Sequence, residues 1–203
     1  MAVASPVVEV LLEEHRTIGR LLRAVEHQIA VFSIEGKPDY DVLVGAADYF
    51  LDFPDRCHHP KEDAILARLR DLHPVEAAGA GELSAEHRKL HELAHRFHET
   101  VGILLNDNDV ARDVIVAAAL GFVMEKRRHL LGEEQGLLPL ADALLTPQDW
   151  SAIEGELTQR SNPLFGSVEA TFRTLSDRLL TWEAEDETVR LAPMAPRSPF
   201  GRP

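Results

Sequence analysis

His58 and Glu62 stand four residues apart in the string Cys57-His58-His59-Pro60-Lys61-Glu62-Asp63, and His129 and Glu133 repeat that spacing later in the chain. On an α-helix an i, i+4 pair lies on one face, about 6 Å apart along the axis. Both groups can then reach from a single helix toward a pair of metal ions. The repeat extends upstream, because Glu14-His15-Arg16 recurs as Glu86-His87-Arg88. The chain therefore runs twice through Glu-His-Arg, a long interval, then His-x-x-x-Glu, with the interval kept to within one residue. Ten histidines will produce single His/Glu pairs by chance, but a duplicated pattern with both spacings kept is much harder to obtain by accident. Imidazole and carboxylate together suit iron, zinc or manganese, whereas thiolate-rich sites suit zinc or iron–sulfur clusters. The candidate ligands are His15, His58, Glu62, His87, His129 and Glu133. The two glutamates are placed to bridge two metals, with the histidines as terminal ligands.

The remaining histidines are less decided by spacing. His87, His91, His95 and His98 fall on one helical stripe, so only their axial level separates them. His91 lies one turn beyond His87 and could serve the second metal. Its counterpart in the first unit is Gly19, which cannot ligate, so the site would be asymmetric by one imidazole. His95 is a weaker alternative, and His98 reads as a surface or flanking residue. His59 points about 100° away from His58 on a regular helix and is expected to face solvent or flank the site. His27 and His73 read as surface residues. Cys57 reads as a packing residue rather than a thiolate ligand. Tyr49 could donate to a bridging oxygen or to a group flanking the site, but core packing is the stronger reading. A ferritin-like di-iron bundle would need Glu-x-x-His twice. Only Glu92-Leu-Ala-His95 fits, with no copy at the repeat offset, so that alternative fails.

These residues need helices to carry them. Apolar positions recur at helical spacing over 7–34, and Gly36-Lys37-Pro38-Asp39 breaks the run. A second helix is predicted from about Asp39 to Asp71, with a kink or short break beside the site because Pro54 and Pro60 each remove a backbone donor. His73-Pro74 and 79–81 form the mid-chain connection. Ser84 is a plausible cap for a third helix reaching about Leu105, and 106–109 reads as a turn. A fourth helix runs from about Val110 to Ala143. Thr146-Pro147-Gln148-Asp149-Trp150 looks like a cap opening a short fifth helix. After a break at 162–166, residues 167–186 form an amphipathic sixth helix, and the proline-rich end is expected to be disordered or draped. No strand signal competes. The predicted fold is all-α, an up-down-up-down four-helix bundle over 1–145, a helical extension over 146–187 and a tail over 188–203.

Composition sets limits. With 203 residues, 45% hydrophobic and 27% charged, the chain has the make-up of one globular domain with a tail. A net charge of −13 argues against a nucleic-acid partner, which needs clustered Lys and Arg. No apolar run approaches a membrane span, and the opening residues lack the basic region of a secretory signal. One cysteine cannot form an internal disulfide, so cytoplasm is the expected location.

The order His … His-x-x-x-Glu … His(-x-x-x-His) … His-x-x-x-Glu, with His-His-Pro-Lys-Glu-Asp and a closing Glu-Glu-Gln-Gly-Leu-Leu-Pro-Leu, resembles the hemerythrin-like HHE cation-binding family over about residues 7–145. The resemblance implies a four-helix bundle enclosing two non-haem iron ions, bridged by two carboxylates and an oxo or hydroxo group. It implies ligand roles for His15, His58, Glu62, His87, His129 and Glu133, and gives His91 the extra histidine of the oxygen-carrying members. Glu133 departs from those carriers, which use an Asp one residue further from the His. This places the chain nearer the bacterial HHE proteins, whose functions are diverse. Three functions are open on the sequence: binding or sensing of O₂, NO or peroxide; a di-iron enzyme acting on peroxide or NO, or an iron donor in repair of iron centres; and an iron-storage or structural bundle. The sixth helix offers a surface through which two copies could pair.

Overall fold

The computed structural model of the chain describes residues 5–34, 36–78, 82–106, 111–157 and 175–182. The expected connection at 79–81, the turn beyond Asn106, the break at 162–166, most of the sixth helix and the tail from 188 lie outside them. Among the described residues the structure is helical, with no strand.

Helix α1 spans Pro6–Ser33. Ser5 caps it by accepting from the Val7 amide at 3.3 Å, and Pro6 at the first helical position loses a donor that has no helical partner there anyway. Helix α2 spans Tyr40–Phe53, its start held by the Asp39 carboxylate accepting from the amides of Asp41 and Val42. The Asp39 amide itself donates to Gln28 Oε1 at 2.7 Å, which ties the entry of α2 back to α1. Helix α5, Leu83–Leu105, begins without a side-chain cap, so Ser84 lies inside its first turn rather than capping it. Helix α6 spans Arg112–Gly132.

The predicted interruption of the second helix takes a specific form. Between α2 and α3 (His59–Leu72) the chain makes a π-helical turn over Pro54–His58, closed by the His59 amide donating to the Pro54 carbonyl. Pro60 cannot donate to Arg56, so widening the turn by one residue lets the chain continue past the proline without reversing direction. The fourth helix has the same device. A π-helical turn at Glu133–Leu137 precedes α7 (Leu138–Leu144), again just ahead of a proline, Pro139.

Around the bundle α1 lies against α2 and α6, and α5 lies against the same two, so α1 and α5 sit on opposite corners. Short connections between successive neighbours give the up-down-up-down order. The apolar core is in two layers. One contains Ile18, Leu22, Phe50, Phe53, Phe97 and Phe122, with Tyr49 buried in it and its ring stacked on Phe53 at 4.9 Å. The other contains Leu11, Ile65, Leu66, Leu83 and Leu137. On α1 the residue between the layers is His15, and on the second helix Glu62 stands between Phe53 and Ile65. The candidate ligands thus occupy a polar level between two apolar ones.

The C-terminal elements close the two ends. A short α4 (Pro74–Ala77) follows α3. Helix α8, Pro147–Glu156, opens with a full capping box between Thr146 and Asp149, and packs Trp150 and Ile153 into the second layer. Arg68 of α3 donates to Asp149 at 2.6 and 3.0 Å, fixing α8 to the bundle. Residues 175–182 lie against α2, where Leu175 meets Gly45 and Arg178 pairs with Asp39 and Asp41. Among the described residues no helix is long and apolar enough to cross a membrane.

A Cβ added at Gly45 would stand 2.9 Å from Leu175 Cβ and 3.2 Å from its Cδ1. Gly45→Ala therefore pushes residues 175–182 off α2 and should destabilise the protein by about 1–3 kcal/mol. Hydrogen exchange should show lost protection at 175–182 with α5 and α6 unchanged; protection equal to wild type would refute the contact.

Candidate metal centre

Each helix contributes to the polar level as the repeat requires. His15 comes from α1, His58 from the π-helical turn, Glu62 from the first turn of α3, His87 from α5, His129 from α6 and Glu133 from the second π-helical turn. All six are buried, and Glu62 and His58 are wholly so. Two sets of ligand-type atoms converge: His15, His58, Glu62 and Glu133 in one, and His59, Glu62, His87 and His129 in the other, with the atoms of each set within 4.8 Å of one another. The two glutamates face both ways. Glu62 Oε1 lies 2.9 Å from His58 Nε2 and 3.6 Å from His15 Nε2, while its Oε2 lies 3.2 Å from His87 Nε2. Glu133 Oε2 lies 3.5 Å from His15 Nε2, and its Oε1 lies 3.1 Å from His129 Nε2 and 3.8 Å from His87 Nε2.

Despite these distances, none of those atoms has a hydrogen bond of acceptable geometry. His15 Nε2, His58 Nε2, His87 Nε2, His129 Nε2 and all four oxygens of Glu62 and Glu133 are buried without one. Buried polar atoms are almost always satisfied, because an unsatisfied one costs about 1–3 kcal/mol. Eight orphans on six residues, all turned inward on one another, form a cradle for cations. Nitrogen and carboxylate oxygen donors fit a borderline metal such as iron, zinc or manganese.

The outward side of each imidazole faces a carboxylate, and in three of the four it is hydrogen-bonded to one. His15 Nδ1–H donates to Glu134, His58 Nδ1–H to Glu14 and His129 Nδ1–H to Glu86, each at 3.0 Å. His87 Nδ1 stands 3.5 Å from Asp63. A carboxylate can only accept, so Nδ1 carries a proton and Nε2 is the ring nitrogen turned into the cradle, free to coordinate when it is unprotonated. All four acids neighbour candidate ligands in sequence. Glu14 and Glu86 precede His15 and His87, and Asp63 and Glu134 follow Glu62 and Glu133. Their recurrence with the repeat was the available signal, and reading the pattern for ligands alone passed over it.

Two histidines differ from the sequence expectation. The structure does not bring His91 to the cluster. Its side chain is 46% exposed and its Nδ1–H donates outward to Asp55 at 2.7 Å. His59, expected to face solvent or flank the site, is buried, with its ring stacked on His87 at 3.8 Å. The π-helical turn accounts for this, because a wider turn separates neighbouring side chains by less rotation. His58 then faces α1 while His59 faces α5 and α6. His59 Nδ1–H donates to Asp55 at 3.0 Å, and burial pushes the ring's pKa down to about 3, so it is neutral. Its Nε2 is not orphaned: Lys126 Nζ stands 3.5 Å away. His95 stacks edge-on against His91, and His98 pairs with Asp48 on the surface.

Without a metal, protons do part of the work. Burial acts to lower the His87 pKa, but contact with the Glu133 and Glu62 carboxylates outweighs it and raises the pKa to about 9. His58 is raised too: burial opposes the shift, and the Glu62 charge and the Glu14 hydrogen bond prevail. Burial would raise Glu62 and Glu133, yet the surrounding histidines hold both below the ordinary 4.5.

Two predictions follow from this shell. A raised histidine pKa stabilises the fold fully below the ordinary 6.5, and that contribution is lost as pH rises through about 9. Lowered carboxyl values stabilise it above 4.5, and that is lost as pH falls. His59, held neutral by burial, stabilises the fold above 6.5 and loses that contribution as pH falls. Metal-free protein should therefore melt highest near pH 6.5 and progressively lower both toward pH 4.5 and toward pH 9. A melting temperature level from pH 6.5 to 9 would remove His87 from this role. Separately, Glu14→Ala frees His58 to rotate and should weaken metal binding about 10- to 100-fold in a chelator competition. An unchanged affinity would mean that the carboxylates do not orient the imidazoles.

No curated protein and no solved structure matches the chain. The model of the Hemerythrin HHE cation binding domain matches residues 6–141, a span that runs from the start of α1 into α7 and contains every residue of the two metal-capable sets. On that match, and with a cradle of buried nitrogen and oxygen donors at its centre, this chain belongs to the hemerythrin HHE cation-binding domain family.

Proposed function

We propose that this protein holds two non-haem iron ions and binds or senses a small ligand, O₂, NO or peroxide, at that pair. The observation that supports the reading is the set of eight orphaned polar atoms, divided between two groups that share Glu62. His15 and His58 would hold one ion and His87 and His129 the other, with Glu62 and Glu133 shared between them. When bound, the iron pair supplies a redox-active position for a small diatomic or peroxidic ligand. The protein residues supply orientation and dryness. Glu134, Glu14 and Glu86 fix the tautomers of His15, His58 and His129, which raises the basicity of the donor nitrogens, and Asp63 adds its charge beside His87. The apolar layers on either side limit water, so each charge inside acts more strongly than it would in solvent. His91 is left outside the ligand set because its imidazole is committed to Asp55 at the surface.

A purely structural bundle is disfavoured by the same geometry. Burying two carboxylates costs stability unless cations or protons compensate, and apolar side chains would fill that level at no such cost.

The test is metal content per chain after purification without added metal, for wild type, His58→Ala and His91→Ala. The expected result is about two irons in wild type, about two in His91→Ala, and one or none in His58→Ala. Titration of the iron-loaded protein with O₂, NO and peroxide then separates binding from turnover. Wild type without iron, or iron unaffected by His58→Ala, would overturn the proposal.

A further inference from the structure

Helix α6 is apolar on both of its sides. Ile115, Ala119, Phe122, Val123 and Leu130 face the bundle and are buried. Val114, Leu120, Met124 and Leu131 are exposed, Met124 to 68%. A helix that is hydrophobic all round is ordinarily covered on every side, and a large exposed apolar patch marks a contact surface. Ala117, Leu120, Met124 and Leu131 follow the three-and-four spacing of a seam along the outer face. Gly121 and Gly132 border that seam, and a Cβ added at either would meet nothing within 4 Å. The outer face is therefore both apolar and open to the close approach of another helix.

Its charges say which helix. Ion pairs close both flanks of the seam: Arg127 donates to Glu26 of α1 at 2.6 Å, and Lys89 of α5 pairs with Glu125 at 2.8 Å. The seam itself carries one charge toward each end, the exposed Asp113 and Arg128, the latter also 3.0 Å from Glu125. A chain of net charge −13 repels its own copies over most of its surface, whereas along this strip the charges cancel. Two copies laid in the same direction would set Arg128 against Arg128 and Asp113 against Asp113. Laid antiparallel about an axis midway between Leu120 and Met124, each Leu120 meets Met124 of the other copy. Each Asp113 then lies about 4.5 Å along the helix from the level of Arg128 in the other copy, within reach of that long side chain.

We propose that the outer face of α6 is the docking surface for a second copy of this chain, in an antiparallel α6–α6 pair that sets Asp113 of each copy against Arg128 of the other. Such a two-fold contact uses the same patch twice and needs it to be self-complementary, as this one is. Residues 175–182 are less suited to pairing, because Leu175 and Leu179 are already buried in the first apolar layer. The seam from Asp113 to Leu131 is about 27 Å long and about 10 Å wide. That is less than the ~800 Å² per partner of a standard interface, so the flanks on α1 and α5 add to it and the dimer is reversible. The pairing does not depend on which ion the centre holds.

The experiment is sedimentation velocity of the full-length protein as purified, over about 5–500 µM chain. Wild type is compared with Met124→Lys, Asp113→Lys, Arg128→Glu and the double variant carrying both charge reversals. Circular dichroism and metal content are recorded for each, and should not change because all three positions are exposed. Wild type should dimerise reversibly. Met124→Lys should weaken the dimer about tenfold or more, since it sets an unpaired ammonium against an apolar side chain. Each single charge reversal should weaken it about threefold or more, and the double variant should return to within about twofold of wild type. Wild type that stays monomeric throughout would overturn the proposal. So would a Met124→Lys dimer as tight as wild type, or a double variant no tighter than the single ones. Hydrogen exchange separates the other occupant: if wild type is monomeric and Met124→Lys loses protection only at 158–174 or beyond 182, the chain's own remaining segments cover α6. Should Met124→Lys fail to fold, the charge-reversal series decides the question without it.

Discussion

Glu62 and Glu133 are held out of water in the middle of four helices, and much of the structure is arranged so that this is tolerable. A buried carboxylate is stable only when cations or hydrogen-bond donors surround it. Here the surroundings are imidazoles, supplied by every long helix. In the metal-free state the raised pKa values of His58 and His87 place protons among the carboxylates. Metal ions in the same cradle would replace those protons and neutralise more charge. Filling the centre therefore does more than add a function, because it satisfies the groups that most strain the fold.

The outer carboxylates turn this local requirement into a bundle-wide brace. Glu14 serves His58 and Glu86 serves His129, each within one repeat unit, whereas Asp63 faces His87 and Glu134 serves His15 across the two units. All four long helices are thus joined through the site by acid–imidazole contacts, while the apolar layers above and below join them by packing. A side chain lost from the outer ring should be felt at the metal rather than in the core. A side chain lost from the core should act in the opposite sense.

The two units are not equivalent, and the prolines are the reason. Each π-helical turn precedes a proline, but the first ends on His58 whereas the second begins on Glu133. The first turn brings His59 into the interior beside His87. The second lets the chain run on into α7 and carries Leu137 into the outer apolar layer. The half of the centre beside His87 and His129 thus gains an extra imidazole, a buried lysine and a small cavity. The other half has His15 and His58 with their acids. This difference lies in what surrounds the centre and comes from the second helix; it is not the extra histidine ligand on the third helix that the sequence suggested.

What the sequence by itself determined is the set of inward-pointing candidate ligands and the helices that carry them. Both depend on periodicity, and a side chain's place on a helical face follows from residue number alone so long as the helix is regular. His15, His58, Glu62, His87, His129 and Glu133 obey that rule, and the internal repeat gave two independent readings of it. The tertiary structure decided the rest, for two physical reasons. A π-helical turn resets the phase, so His59 could not be placed by counting, and His91 lies outside the cluster with its ring held by Asp55 at the surface. Partners on different helices have no sequence relation to count. The acids behind the imidazoles, the lysine between α6 and His59, and the contact of Leu175 with Gly45 exist only once the helices are packed.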